Sequence, residues 1–121
     1  MIGYTTVGTV DMARSEAFYN QLFEAMGYKQ LMKMDRLIAW GDGAGPMFCV
    51  CTPYDGEEMH SGNGTMIALA ATSRDQVHEL YALARELGAS DEGEPGMRME
   101  PFYCGYVRDL DGNKLNFYCT Q

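Results

Sequence analysis

Two hydrophobic periods alternate along the chain, and the same succession of periods occurs twice. Residues 4–10 are rich in Thr and Val and predict a strand. Asp11 is placed to cap a helix, and Ala13, Ala17, Phe18, Leu22, Ala25 and Met26 then recur at helical spacing up to Gly27, a left-handed stop. Three strands are predicted next, over residues 28–34, 36–40 and 47–52, with the breaker run Gly41-Asp42-Gly43-Ala44-Gly45-Pro46 before the last. Residues 53–64 are polar, contain Asp55-Gly56 and Gly62-Asn63-Gly64, and read as a connector. The succession then restarts. Residues 65–71 form an apolar strand, and Ser73 caps a second helix with Gln76 completing a capping box. Val77, Leu80, Tyr81, Ala84 and Leu87 make its buried stripe and Gly88 ends it. Residues 89–101, with their Gly and Pro, read as a loose connection. Residues 102–108 are an aromatic strand, Asp109-Leu110-Asp111-Gly112-Asn113 a tight turn and residues 114–119 a closing strand.

Cap to terminal glycine spans 16 positions in the first helix (Asp11 to Gly27) and 15 in the second (Ser73 to Gly88). The chain is therefore read as α+β, an internal duplication of two βαβββ modules, the first over about 1–58 and the second over about 64–121. One module alone leaves a sheet face bare, so the expectation is a curved mixed sheet around a cavity.

Composition narrows the chemistry. A chain of 121 residues suits one domain with its own core. Seventeen acids against nine bases give a net charge of -8, and no basic cluster is present to replace nucleic-acid counterions or to face an anionic membrane. Such an acidic balance can steer a cationic ligand, or simply keep a protein in solution. No apolar run approaches a membrane span and the first residues do not resemble a signal peptide, so a cytoplasmic location is expected. Cys49, Cys51, Cys104 and Cys119 include no C-x-x-C pair and read as reduced core thiols. His60 falls in the connector and His78 on the exposed side of the second helix; neither has an acid or nucleophile placed beside it by the sequence. The Asp109–Asn113 turn does not meet the spacing of a calcium loop.

Three segments, in this order and at these distances, resemble the vicinal oxygen chelate superfamily of glyoxalases, bleomycin-resistance proteins and extradiol dioxygenases. They are Val10-Asp11-Met12 with Ala17-Phe18-Tyr19 and Gly27-Tyr28; Asn63 to Leu69 followed by Ser73; and Val107-Arg108-Asp109-Leu110-Asp111-Gly112-Asn113-Lys114-Leu115. The resemblance covers nearly the whole chain. It implies that the family's metal positions fall on Tyr4, Met66 and Asn116. A phenol, a thioether and a neutral amide are poor ligands for a hard divalent ion, so no metal cofactor is expected.

Period-two alternation groups Tyr4 with Thr6, Met66 with Ala68, Tyr106 with Arg108, and Asn116 with Tyr118. Together with Trp40 and Cys49, and Phe48 as an alternative neighbour, these are the candidate ligand-binding residues. The expected function is metal-free binding of a small aromatic or cationic molecule in the cavity. The resemblance also admits a glyoxalase-type lyase or isomerase using Tyr4, Tyr106 or Asn116, and a non-catalytic accessory subunit. Relatives of this length imply a homodimer.

Overall fold

The computed structural model describes residues 1–121. Its elements are β1 (Tyr4–Gly8), α1 (Met12–Ala25), β2 (Lys29–Lys33), β3 (Leu37–Gly41), β4 (Met47–Cys51), β5 (Met66–Ala70), α2 (Arg74–Glu86), β6 (Ser90–Met99), β7 (Phe102–Arg108) and β8 (Lys114–Cys119). They form two compact units, Met1–Ser61 and Gly62–Gln121. Each is a βαβββ module with one four-stranded mixed sheet, in the orders β1-β4-β3-β2 and β5-β8-β7-β6. In both sheets the strand before the helix pairs in parallel with the last strand of its module, and the other pairings are antiparallel. The duplication read from the sequence is therefore present. No helix is long and apolar enough to cross a membrane.

The helix ends follow from local chemistry. Asp11 Oδ1 accepts from Arg14 N at 3.0 Å and Ser73 Oγ accepts from Gln76 N at 3.0 Å, each satisfying an orphan donor of the first turn. Gln76 Oε1 reaches back to the Thr72 N–H at 2.7 Å, one residue before the cap, so the capping box closes on Thr72 and not on Ser73. Both helices end in the same way. Gly27, at φ 84°, allows Tyr28 N to donate to Phe23 O at 2.9 Å, and Gly88, at φ 109°, allows Ala89 N to donate to Ala84 O at 2.9 Å.

In the first unit α1 buries Phe18, Tyr19, Leu22 and Phe23 against one sheet face. Tyr19 and Phe23 pack on Trp40 and on Phe48 with ring centroids 4.9–5.9 Å apart. In the second unit α2 packs on β7 and β8 and buries Val77, Leu80 and Ala84. Leu115, Phe117 and Val107 are fully buried there, each large side chain stabilising by about 1.5–3 kcal/mol.

Two segments differ from the sequence reading by more than one residue at an end. β1 stops at Gly8, because Thr9 Oγ1 turns to accept from Asp11 N at 3.1 Å and starts the helix entry. Residues 89–101 are not a loose connection: Ser90–Met99 is a ten-residue edge strand. Its pairing with β7 slips between Asp91 and Gly93, Gly93 and Gly96, and Met97 and Met99. The breakers Gly93, Pro95 and Gly96 sit within those irregularities, and an edge strand tolerates a proline that a central one does not.

Candidate functional site

The helix covers only one face of each sheet, and the uncovered face of the second carries most of the candidate residues. Registers Ala68↔Asn116↔Tyr106, Ala70↔Tyr118↔Cys104 and Met66↔Lys114↔Arg108 put these side chains together. The intervening Tyr103 and Gly105 face α2: Tyr103 Oη lies 2.6 Å from His78 Nε2, and a Cβ on Gly105 would meet Tyr81. Met66 and Ala68 are exposed, Tyr106, Arg108 and Tyr118 are partly buried, and Asn116 is buried.

Asn116 is the unusual member. The residue is 7% exposed, and its Oδ1 accepts no hydrogen bond. A buried acceptor left unpaired costs about 1–3 kcal/mol, so native proteins rarely leave one without a use.

Positive charge collects around it. The Tyr106 ring has the Arg98 guanidinium 5.3 Å and the Lys114 ammonium 5.2 Å from its centroid. The ring lies close to β6 because Gly93, at φ 154°, has no Cβ; one built there would stand 3.0 Å from Tyr106 Cδ2. Burial, and then the hydrogen bond with Cys104, pushes the Tyr106 phenol above its ordinary value. Arg108 donates to Gly112 O at 3.0 Å and pairs with Glu92 at 3.2 Å. At the end of this face, beside the turn after β7, Asn63, Gly64, Thr65, Met66, Arg108 and Lys114 line an open depression of about 340 Å³. The turn is rigid: Asp109 accepts from Asp111 N and Asn113 N at 2.9 Å each and from Asn113 Nδ2 at 3.0 Å.

In the first unit the registers Tyr4↔Met47 and Thr6↔Cys49↔Ala39 place Tyr4, Thr6 and Cys49 on one face. Tyr4 and Thr6 are exposed, whereas Cys49 is buried, which pushes its thiol up with help from Cys51. The connector reaches this face, since a Cβ on Gly8 would come within 2.7 Å of Met59 Cγ. Trp40 does not join them. It is 1% exposed, its Nε1 donates to Asn20 Oδ1 on α1 at 2.9 Å, and with Phe48 it belongs to the aromatic core under the helix.

Within the chain no three His, Cys, Asp or Glu side chains are grouped to hold a metal ion. The donors at the family's metal positions, a phenol, a thioether and an amide, do not fit a hard divalent cation. His78 is engaged by Tyr103 on the helix side, and His60 is exposed.

Sequence reasoning missed Arg98 as a site member. Arg98 lay in the segment read as loose, and only the bulged pairing of β6 brings it over Tyr106. Period-two alternation does group Lys114 with Asn116 and Tyr118, although Lys114 is not among the candidate ligand contacts named from the sequence.

Comparison with known proteins agrees with this architecture. The family described as Glyoxalase/Bleomycin resistance protein/Dioxygenase superfamily matches residues 1–117. A glyoxalase/bleomycin resistance protein from Albidiferax ferrireducens T118 superposes with a TM-score of 0.89 at 28% identity, covering 98% of each chain. A glyoxalase/bleomycin resistance protein/dioxygenase family enzyme from Burkholderia phytofirmans PsJN gives 0.81 at 18% identity, again over 98% of each chain. A glyoxalase-related enzyme from Fulvimarina pelagi gives 0.78 at 18%, over 98% of this chain and 86% of that one, and at such identities the likeness is one of fold. No curated protein sequence matches significantly.

Proposed function

Given that the chain belongs to the Glyoxalase/Bleomycin resistance protein/Dioxygenase superfamily, we propose that it binds a small, flat organic molecule on the open face of its second unit without a metal ion. The observation that carries this reading is Asn116. At the position where the resemblance puts a metal-binding carboxylate, the chain has a buried neutral amide whose Oδ1 has no partner. An amide cannot offset the dehydration of a divalent ion as a carboxylate does, but its carbonyl can accept a hydrogen bond from a ligand.

Tyr106, Tyr118 and Met66 offer an aromatic and adaptable surface, and Ala68 leaves room beside them. Of the two ligand types expected from the sequence, the aromatic one is favoured. A cation would have to approach Arg98, Arg108 and Lys114, and like charges at short range oppose it. Lyase or isomerase chemistry has weaker support. The Tyr106 phenol is shifted upward, away from the neutral range in which a general acid or base works well, and the Glu92 carboxylate at this face is paired with Arg108. A vestigial cavity in an accessory subunit would have no reason to keep a costly orphaned acceptor.

Ligand binding measured in the presence of EDTA tests the proposal. Planar aromatic compounds are expected to raise the melting temperature equally with and without chelator. Stabilisation that EDTA abolishes would contradict it.

A further inference from the structure

The open face of the second unit joins an acceptor without a donor to a cation without a counter-ion. The acceptor is Asn116 Oδ1, in a residue more than nine-tenths buried. The cation is Lys114, half-buried, in contact with the Tyr106 ring and outside the ion pairs Lys33–Glu16 and Arg108–Glu92. Arg108, its neighbour in the depression, already has Glu92, so Lys114 supplies the unspent charge. Lys114 and Asn116 are two residues apart on β8, which sets their backbones about 7 Å apart on the same face. The Tyr106 ring lies directly across from Asn116 and reaches toward Lys114.

Each feature asks for a different part of one ligand. A half-buried ammonium is best satisfied by an anion, and a buried carbonyl by an O–H or N–H. A planar group against Tyr106 would bridge them. The overall charge of -8 repels anions at long range, but salt screens that field within about 8–10 Å, and contact with Lys114 acts well inside that distance.

We propose that the ligand is a hydroxylated aromatic acid, with its carboxylate at Lys114, its ring against Tyr106 and its hydroxyl donating to Asn116 Oδ1. This inference rests on the metal-free reading of the same face and adds the chemical class of the ligand. Para-substitution on a benzene ring separates carboxylate and hydroxyl by a distance similar to the two-residue spacing along β8.

Calorimetric titration of the full chain with 4-hydroxybenzoate, 4-methoxybenzoate, 4-hydroxybenzamide and phenol, each with and without EDTA, is the test. 4-Hydroxybenzoate is expected to bind tightest. Loss of the donor in the methoxy analogue, or of the charge in the amide and phenol, should weaken binding about tenfold each, the size of one charge-assisted or buried hydrogen bond. Lys114→Met should erase the advantage of acid over amide and Lys114→Arg should restore it. Asn116→Leu should erase the advantage of hydroxyl over methoxy and keep the preference for acid. Equal affinity for all four compounds, or no heat with any of them, overturns the inference. Binding of 4-hydroxybenzoate that disappears in EDTA instead overturns the metal-free reading beneath it.

Discussion

Leucine has the branching and heavy-atom count of asparagine and carries no carbonyl, so Asn116→Leu should remove the cost of the unpaired Oδ1 without opening a cavity. The free protein is then expected to gain about 1 kcal/mol in chemical denaturation, within the range for such a group. A loss of stability would mean that Oδ1 has a structural partner. Asp109 stands at the other extreme, since its carboxylate accepts three hydrogen bonds inside a mostly buried turn. Asp109→Ala should cost about 2–4 kcal/mol, because two backbone N–H groups and the Asn113 amide lose their acceptor together. A denaturation midpoint close to that of the parent chain would refute this. The Tyr81–Asp91 pair predicts a pH effect. Burial, and then the hydrogen bond to Asp91 at 2.7 Å, pushes the Tyr81 phenol from 10.0 up to about 12. The folded chain thus holds this proton more tightly than the unfolded one. The contribution is complete below about pH 10 and is lost as pH rises through about 12. Tyr81→Phe should flatten the alkaline fall of the melting temperature over that window, and an unchanged fall would contradict the assignment. At this scale the sequence was informative where one face of a strand carries polar side chains, as for Asn116 and Arg108. It was ambiguous for Trp40. β3 and β4, Leu-Ile-Ala-Trp-Gly and Met-Phe-Cys-Val-Cys, are apolar on both faces, so alternation does not say which face meets the helix.

Helices and their ends were legible because capping is local. Asp11, Ser73, Gly27 and Gly88 each act within a few residues of themselves. Replacing Ser73 by alanine should cost about 1 kcal/mol, measured by urea denaturation, since Gln76 N loses its acceptor. A substitution without measurable effect would show that Thr72 and Gln76 satisfy this helix end by themselves. β6 was illegible for the opposite reason. Its Gly93, Pro95 and Gly96 forbid a regular strand, and the pairing that orders them comes from β7, whose residues begin only after Met99. Because Arg98 rides on that strand, its own charge at the site was invisible along with the strand itself. The slips in register also bring Gly93 against the Tyr106 ring, so the irregularity shapes the site as well as the edge.

At the scale of the chain, the repeat of strand, capped helix and three strands was readable because each module repeats its own local signals. What the side chains bind was less so, because a ligand class depends on residues from separate strands meeting on one face. Unpaired edges at β1, β2, β5 and β6 give a second copy places to add strands, and light scattering is expected to report a dimer. The central claim is that the second unit, with Asn116 in place of a metal-binding carboxylate, recognises an organic ligand directly and without a metal ion. Elemental analysis of the chain, expressed with divalent metals in the medium and purified without chelator, tests it most directly. Zinc, manganese, iron and nickel are each expected far below one equivalent per chain. One equivalent of any of them, lost on Asn116→Leu, would contradict it.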